Sequence, residues 1–289
     1  MHGPAGDAWL AQLPALLDEL AARWSLTVLP PFPVPSYNYV APAIGPDGAA
    51  LALKAGVPHP ELWGEIDALR LFDGRGVARL IDADPIGGAL LLERVLPGDA
   101  LKSVNDDEEC VQVAATVMRA LWRPLPADHP FRTMAHLARG LERLRIEFDG
   151  GYGPFPAARV DRAAALWREL LAGDASPMLL HGDMNPGNIL RSNRGGWLAI
   201  DPKGYAGDPL FDAATFLNDP PAGLSAGEMP SGQQRRVALL AEALGAPRDT
   251  VLAWAEAHAV LSGWWSYEDH GRGWEPALAL AAMYEAMWR

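Results

Sequence analysis

Cysteine is all but missing: Cys110 stands alone in 289 residues. That excludes an internal disulfide framework and any zinc cage built on thiolates. Positive charge is the scarcer sign, with 24 Lys+Arg against 36 Asp+Glu and a formal net charge of −12. Such an acidic chain is a poor partner for phosphate backbones or anionic lipid, so neither nucleic acid nor a membrane is expected, and a cationic small molecule is favoured. No apolar run approaches the roughly 20 residues needed to span a bilayer. Residues 1–7 also lack the basic segment and apolar core of an export signal, so a soluble, cytoplasmic protein is expected. Disorder is excluded by the balance of 49% hydrophobic and 21% charged residues. At roughly 100–200 residues per domain, the length fits one large domain or two modest ones.

Proline (26) and glycine (29) are plentiful, but they punctuate the chain and form no low-complexity tract. Residues 7–24 place Trp9, Leu10, Leu13, Leu16, Leu17, Leu20 and Trp24 at helical spacing, with Pro14 as an interruption. The proline-rich stretch 29–35 reads as an extended connector. Residues 37–44 and 49–54 read as strands around an Asp47-Gly48 turn, and 59–72 as a helix stopped by Gly74. Residues 77–83 and 89–95 are two more strands, joined at Gly87-Gly88. Pro97-Gly98 breaks the pattern, and helices then dominate, over 106–122, 131–148, 160–171 and on to the end. Short β-like runs interrupt them near 178–180 and 197–200. The expected class is α+β: a small β-rich unit (1–96) carrying the first helix, and a larger, mainly helical unit (97–289).

Chemistry concentrates in Leu180-His181-Gly182-Asp183-Met184-Asn185-Pro186-Gly187-Asn188-Ile189-Leu190. A second acid, Asp201, follows the apolar run Trp197-Leu198-Ala199-Ile200. An amide and a carboxylate, Asn188 and Asp201, offer two hard oxygens of the kind Mg²⁺ shares with water and phosphate. Asp183 would remain free to take a proton from an attacking hydroxyl, the division of labour that phosphoryl transfer needs.

His181-Gly182-Asp183 with Asn188 five residues on resembles the catalytic loop of the aminoglycoside phosphotransferase branch of the protein-kinase-like fold, with Asp201 as that family's second metal-binding acid. Ala8-Trp9-Leu10…Leu13-Pro14-Ala15-Leu16, Leu198-Ala199-Ile200-Asp201-Pro202-Lys203-Gly204 and Trp265-Ser266-Tyr267-Glu268-Asp269 resemble, more narrowly, its streptomycin 6-kinase and hydroxyurea kinase subgroup. The resemblance implies a two-lobed fold, with a nucleotide-binding lobe over 1–96 and a catalytic, substrate-binding lobe over 97–289. It implies Lys54 on the α/β-phosphates with Glu65 as its ion-pair partner, Glu61 being the rival one turn away. It places adenine at the backbone of Glu93 and Val95, and makes Gly207-Asp208-Pro209 with Asp212 a brace for the catalytic loop. The family's phosphate-covering turn is usually glycine-rich. Here it reads Pro35-Ser36-Tyr37-Asn38-Tyr39-Val40, so Ser36 and Asn38 would donate to phosphate from a stiffer, bulkier cover. The implied cofactors are ATP, with GTP an alternative, and Mg²⁺. The implied activity is antibiotic resistance by phosphorylation of a hydroxylated, cationic aminoglycoside of the streptomycin type, by a monomer or homodimer.

Several residues carry two readings. Lys203 either neutralises charge developing at the γ-phosphate or pairs with a surface acid. His181 packs beneath the loop rather than serving as base. The tail residues Trp254, Trp264, Trp265, Tyr267, Glu268, Asp269 and Trp274 are either helical core or the wall of a pocket for a cation. Asp212, Trp265, Glu268 and Asp269 are the candidate substrate contacts. Hydroxyurea, choline or an amino sugar would be alternative substrates, and a silent nucleotide-binding protein is the non-enzymatic alternative. Gly223-Leu224-Ser225-Ala226-Gly227 matches a hydrolase nucleophile elbow, but Asn218-Asp219-Pro220-Pro221 before it cannot be the required strand.

Overall fold

The structure is a computed structural model that describes residues 3–33, 38–173, 176–221, 225 and 227–288. Helix α1 (Gly3–Arg23) runs straight through Pro14. Strands β1 (Thr27–Val28), β2 (Tyr39–Ile44) and β3 (Ala50–Ala55) follow, then helix α2 (Pro60–Phe72), β4 (Leu80–Asp84) and β5 (Ala89–Glu93). The five strands form one antiparallel sheet in the order β1-β2-β3-β5-β4. Successive residues of a strand point to opposite faces. On one face Leu51, Leu53, Ala55, Ala89 and Leu91 pack with Leu20, Leu13, Leu16 and Leu17 of α1. On the other, Leu90 and Leu92 pack with Leu62, Ile66, Leu69 and Phe72 of α2. Lys54 stands opposite Leu90 in the ladder, so the alternation sends its side chain toward α2.

His59 caps α2, its Nδ1 accepting from the Leu62 amide at 3.0 Å. The helix ends at Asp73, in the left-handed region at φ 51°, one residue before the glycine expected to stop it. Pro97-Gly98 does not end regular structure, contrary to expectation: Pro97–Ala100 is strand β6. It lies at the edge of a three-stranded sheet in the order β11-β10-β6, where proline is tolerated because no inward N–H is required.

Helix α3 (Asp107–Leu121), β7 (Arg123–Pro124), β8 (Arg132–Thr133), α4 (Met134–Glu147), α5 (Ala157–Leu171), β9 (Met178–Leu180), β10 (Ile189–Ser192), β11 (Gly196–Ala199) and β12 (Tyr205–Gly207) come next. A second small sheet has the order β7-β9-β12-β8. Helices α6 (Leu210–Leu217), α7 (Met229–Leu244), α8 (Arg248–His270) and α9 (Glu275–Ala286) complete the chain. Much of α8 is buried all round, as a helix at the centre of a bundle must be. Its Trp254 meets Trp167 edge-on at 5.0 Å and Phe211 at 5.7 Å. Trp264, Tyr267 and Trp274 join Phe148 and Phe155 in an aromatic cluster. Trp254 and Trp264 are therefore core, and Tyr267 and Trp274, half-buried, pack against it.

Candidate active site

The loop after β9 is held from below by α6. Asp212 is fully buried and accepts from the amides of His181 at 3.1 Å and Gly182 at 2.7 Å, and from Trp122 Nε1 at 3.0 Å. One turn on, Thr215 Oγ1 accepts from the Met184 amide at 2.9 Å. The expectation that Asp212 touches substrate is thus corrected: both its oxygens are spent on the loop and Trp122, and burial pushes its carboxyl above the ordinary range. Gly182 has φ 84°, and a Cβ there would stand 2.5 Å from the Tyr205 ring, so only glycine fits this turn. His181, also fully buried, accepts from the Asp183 amide at Nδ1 (3.2 Å) and meets the Ile200 carbonyl at Nε2 (2.8 Å). The Ile200 carbonyl can only accept, so Nε2 carries the proton and the ring ties the loop to the residue before Asp201.

Asp183 is fixed by two amides. Asn185 Nδ2 donates to its Oδ1 at 2.9 Å, and Asn188 Nδ2 donates to its Oδ2 at 3.2 Å and its main-chain oxygen at 2.9 Å. Asn185 was missed in the sequence, although Asn-Pro is a turn signal: its Oδ1 accepts from the Gly187 amide at 2.9 Å, closing a side-chain turn.

Lys54, only 3% exposed, reaches Glu65 Oε1 and Oε2 at 2.8 Å each and Asp201 Oδ1 at 3.1 Å. Burial alone would depress the Lys54 ammonium, but Asp201 and Glu65 outweigh it and hold it above the usual lysine range. Burial opposes ionisation of Asp201 too; Lys54 first, and then Lys203, bring its carboxyl below the ordinary value. Asp201 itself sits at φ 58°, in the left-handed region. Glu61 is not the partner of Lys54: it lies 3.7 Å from Lys203 and 3.9 Å from Arg132. Lys203 thus has a surface acid, Glu61, near it.

Among the described residues no group of three His, Cys, Asp or Glu side chains could cage a metal. Asn188 turns its N–H groups to Asp183, leaving Oδ1 without a donor among the described residues. With the second oxygen of Asp201, that set fits an ion completed by water and phosphate, which is the habit of Mg²⁺.

Other expected residues fall in different places. The Glu93 amide donates to the Arg79 carbonyl at 2.9 Å, while the Glu93 carboxylate is bridged by Arg194 at 2.9 Å through Nε and Nη2. Arg194, missed in the sequence, also donates to the Gly74 and Val77 carbonyls at 2.7 and 2.8 Å. Val95 is buried with Ala78 and Leu198. Asn38 lies against Gly56, where a Cβ would collide with its Oδ1; Ser36 lies outside the described residues. Glu268 is paired with Arg143 at 2.8 and 3.1 Å, Asp269 is exposed, and Trp265 turns its ring toward His258 at 5.8 Å. Ser225 Oγ donates to Glu228 Oε2 at 2.5 Å, the opening of a helix and not a hydrolase dyad.

The chain matches, over residues 34–270, the profile of the family described as aminoglycoside/hydroxyurea antibiotic resistance kinases. It is 33% identical to a streptomycin 6-kinase of Streptomyces glaucescens, covering 97% of this chain and 91% of that one. It is 35% identical to a hydroxyurea phosphotransferase of Kitasatospora aureofaciens, covering 92% of this chain and 77% of that one. An aminoglycoside phosphotransferase solved as a ternary complex with ADP and hygromycin B superposes with a TM-score of 0.63 at 14% identity, covering 93% and 96% of the two chains. The fold is that of the protein-kinase-like phosphotransferases, and the chain belongs to the aminoglycoside/hydroxyurea antibiotic resistance kinase family, whose reaction is phosphoryl transfer to an acceptor oxygen.

Proposed function

We propose that this enzyme moves the γ-phosphoryl group of ATP, with Mg²⁺, onto a hydroxyl of a cationic aminoglycoside of the streptomycin type, and so confers resistance. The observation that carries the reading is the pairing of Lys54 with Asp201 beside an Asp183 clamped by Asn185 and Asn188, residues drawn from three separate stretches of chain. The sheet-bearing residues 1–96 would hold the nucleotide, adenine lying against the Glu93–Val95 backbone, and residues 97–289 would bring the loop and the acceptor. Asp183 orients the acceptor hydroxyl and takes its proton as the oxygen bonds to the γ-phosphorus. The bond from that phosphorus to the bridging oxygen breaks, and ADP leaves. Asn188 and Asp201 would hold Mg²⁺, which supplies charge neutralisation on the phosphates. Lys54 would steady the α/β-phosphates, and Lys203 would offset charge at the γ-phosphate. With a loose transition state, positioning and charge contribute more than the basicity of Asp183. GTP is the alternative donor. Hydroxyurea is the second reading for the acceptor, favoured by the likeness to the Kitasatospora enzyme.

Mass spectrometry of the purified protein with ATP, Mg²⁺ and a panel of streptomycin, other aminoglycosides and hydroxyurea tests this. One added phosphate on streptomycin is expected, with turnover reduced about 10²-fold or more in Asp183→Asn. Phosphorylated hydroxyurea alone selects the second reading. An Asp183→Asn enzyme at wild-type rate overturns the assignment of the base.

A further inference from the structure

Helix α6 holds more than the catalytic loop. Asp212 and Thr215 bind the loop amides, and the residue just past the last turn, Asn218, binds His258 of α8. Asn218 Nδ2 lies 3.2 Å from the Ala255 carbonyl and 2.6 Å from His258 Nδ1. A carbonyl only accepts, so the amide must present N–H on this side. The same group faces the imidazole, Nδ1 is therefore an acceptor, and the proton of the ring sits on Nε2. This arrangement is kept although it leaves Asn218 Oδ1 buried without a partner among the described residues.

His258 is 7% exposed, packed edge-on against Phe211 at 5.1 Å and beside Trp265 at 5.8 Å. Its Nε2 has no hydrogen-bond partner among the described residues. A histidine serving packing alone is ordinarily satisfied at both nitrogens. Here one nitrogen is locked by an amide and the other is left as an open donor. Burial keeps the ring neutral, and Asp183 is the charged group within electrostatic reach of it.

We infer that the Nε2–H of His258 donates a hydrogen bond to an oxygen of the acceptor substrate, next to the hydroxyl that Asp183 deprotonates. A neutral donor recognises a hydroxyl, ether or carbonyl oxygen without repelling a guanidinium or ammonium group nearby, which suits a polyhydroxylated cation. The inference rests on the reading of Asp183 as the catalytic base.

The test uses full-length enzyme labelled with ¹⁵N-histidine, in long-range ¹⁵N–¹H spectra at neutral pH, with the panel compound that the wild type phosphorylates added in the presence of ADP and Mg²⁺. Steady-state kinetics of wild type, His258→Phe and Asp183→Asn run alongside. Phenylalanine keeps the ring packing and removes the donor. The expected result is a neutral Nε2–H imidazole whose signals move on acceptor binding, and an acceptor KM raised about three- to ten-fold in His258→Phe with the ATP KM unchanged. Signals that stay put at saturating acceptor, or an unchanged acceptor KM in His258→Phe, overturn the inference while leaving Asp183 in place. Wild-type turnover in Asp183→Asn overturns instead the reading beneath it.

Discussion

Lys54 has three N–H donors, and all three meet carboxylate oxygens, two from Glu65 and one from Asp201. In the proposed reaction, bound phosphates would displace or share one of them. Asp201 is the partner able to let go, because its side chain is 41% exposed against 9% for Glu65. Glu65 and Asp201 together thus hold the lysine in one orientation. At the same scale, His258 makes the fold sensitive to acid. Burial takes its imidazole from 6.5 down to about 4, so between those values the unfolded chain binds a proton that the folded chain refuses. Stability then rises with pH across this window and levels off above about 6.5. Urea titrations from pH 7 to pH 4.5 should show a loss, with His258 contributing on the order of 3 kcal/mol over the full window. A His258→Phe enzyme should lose distinctly less; an identical slope would show that other groups carry the acid sensitivity.

Among the elements, the β10–β11 hairpin reaches across to the sheet. Arg194, in its turn, grips the Gly74 and Val77 carbonyls and the Glu93 carboxylate, which ties the end of α2, the entry to β4 and the end of β5 to one guanidinium. Those segments lead to Glu65 and to the proposed adenine edge. Arg194→Ala should raise the KM for ATP about three- to ten-fold while the acceptor KM holds, as read from initial rates against each substrate. Equal effects on both would place the fault in overall stability. Such a tie was not legible in the chain, because Arg194 and Glu93 are partners only through a fold that brings distant segments together. The same reason hid β6 and β12, which are too short for an alternating pattern and pair with distant strands, while β10, in a local hairpin with β11, was hidden by its shortness alone. Longer elements with a strong period (α1, α2, α3 and the β2–β3 and β4–β5 hairpins) were legible to within a few residues. The order and spacing of Lys54, Asp183, Asn188 and Asp201 singled them out in the sequence, and the fold pairs Lys54 with Asp201 and Asn188 with Asp183. Asn218 and His258 gave no signal: an asparagine after a helix and a histidine inside one are ordinary alone.

For the whole molecule, the net charge of −12 does not describe every surface. Arg132, His136, Arg139 and Arg143 recur along α4 and its approach, and the arginines join burial in holding His136 below its usual value. Charge balance thus argues for a class of partner, while local side chains decide where it can sit. The proposed nucleotide would join the sheet to the loop sheet through Lys54, Asn188 and Asp201, so binding should stabilise the chain as a unit. At about 100 times Kd the gain is about 2.7 kcal/mol, seen as a rise in Tm with ATP and Mg²⁺. Asp201→Asn should lose the part of that rise that depends on Mg²⁺, and equal shifts with and without the ion in wild type would refute its role.

The left-handed backbone of Asp201, φ 58°, also shapes how this enzyme can be lost by mutation. Asparagine and glycine tolerate that conformation, whereas branched or bulky residues strain it. The replacements that keep the turn therefore discard the carboxylate, and glutamate, which keeps the acid, suits the turn less well. A lineage freed from selection for phosphoryl transfer should drift here first to asparagine or glycine, folded and silent, rather than to a collapsed chain.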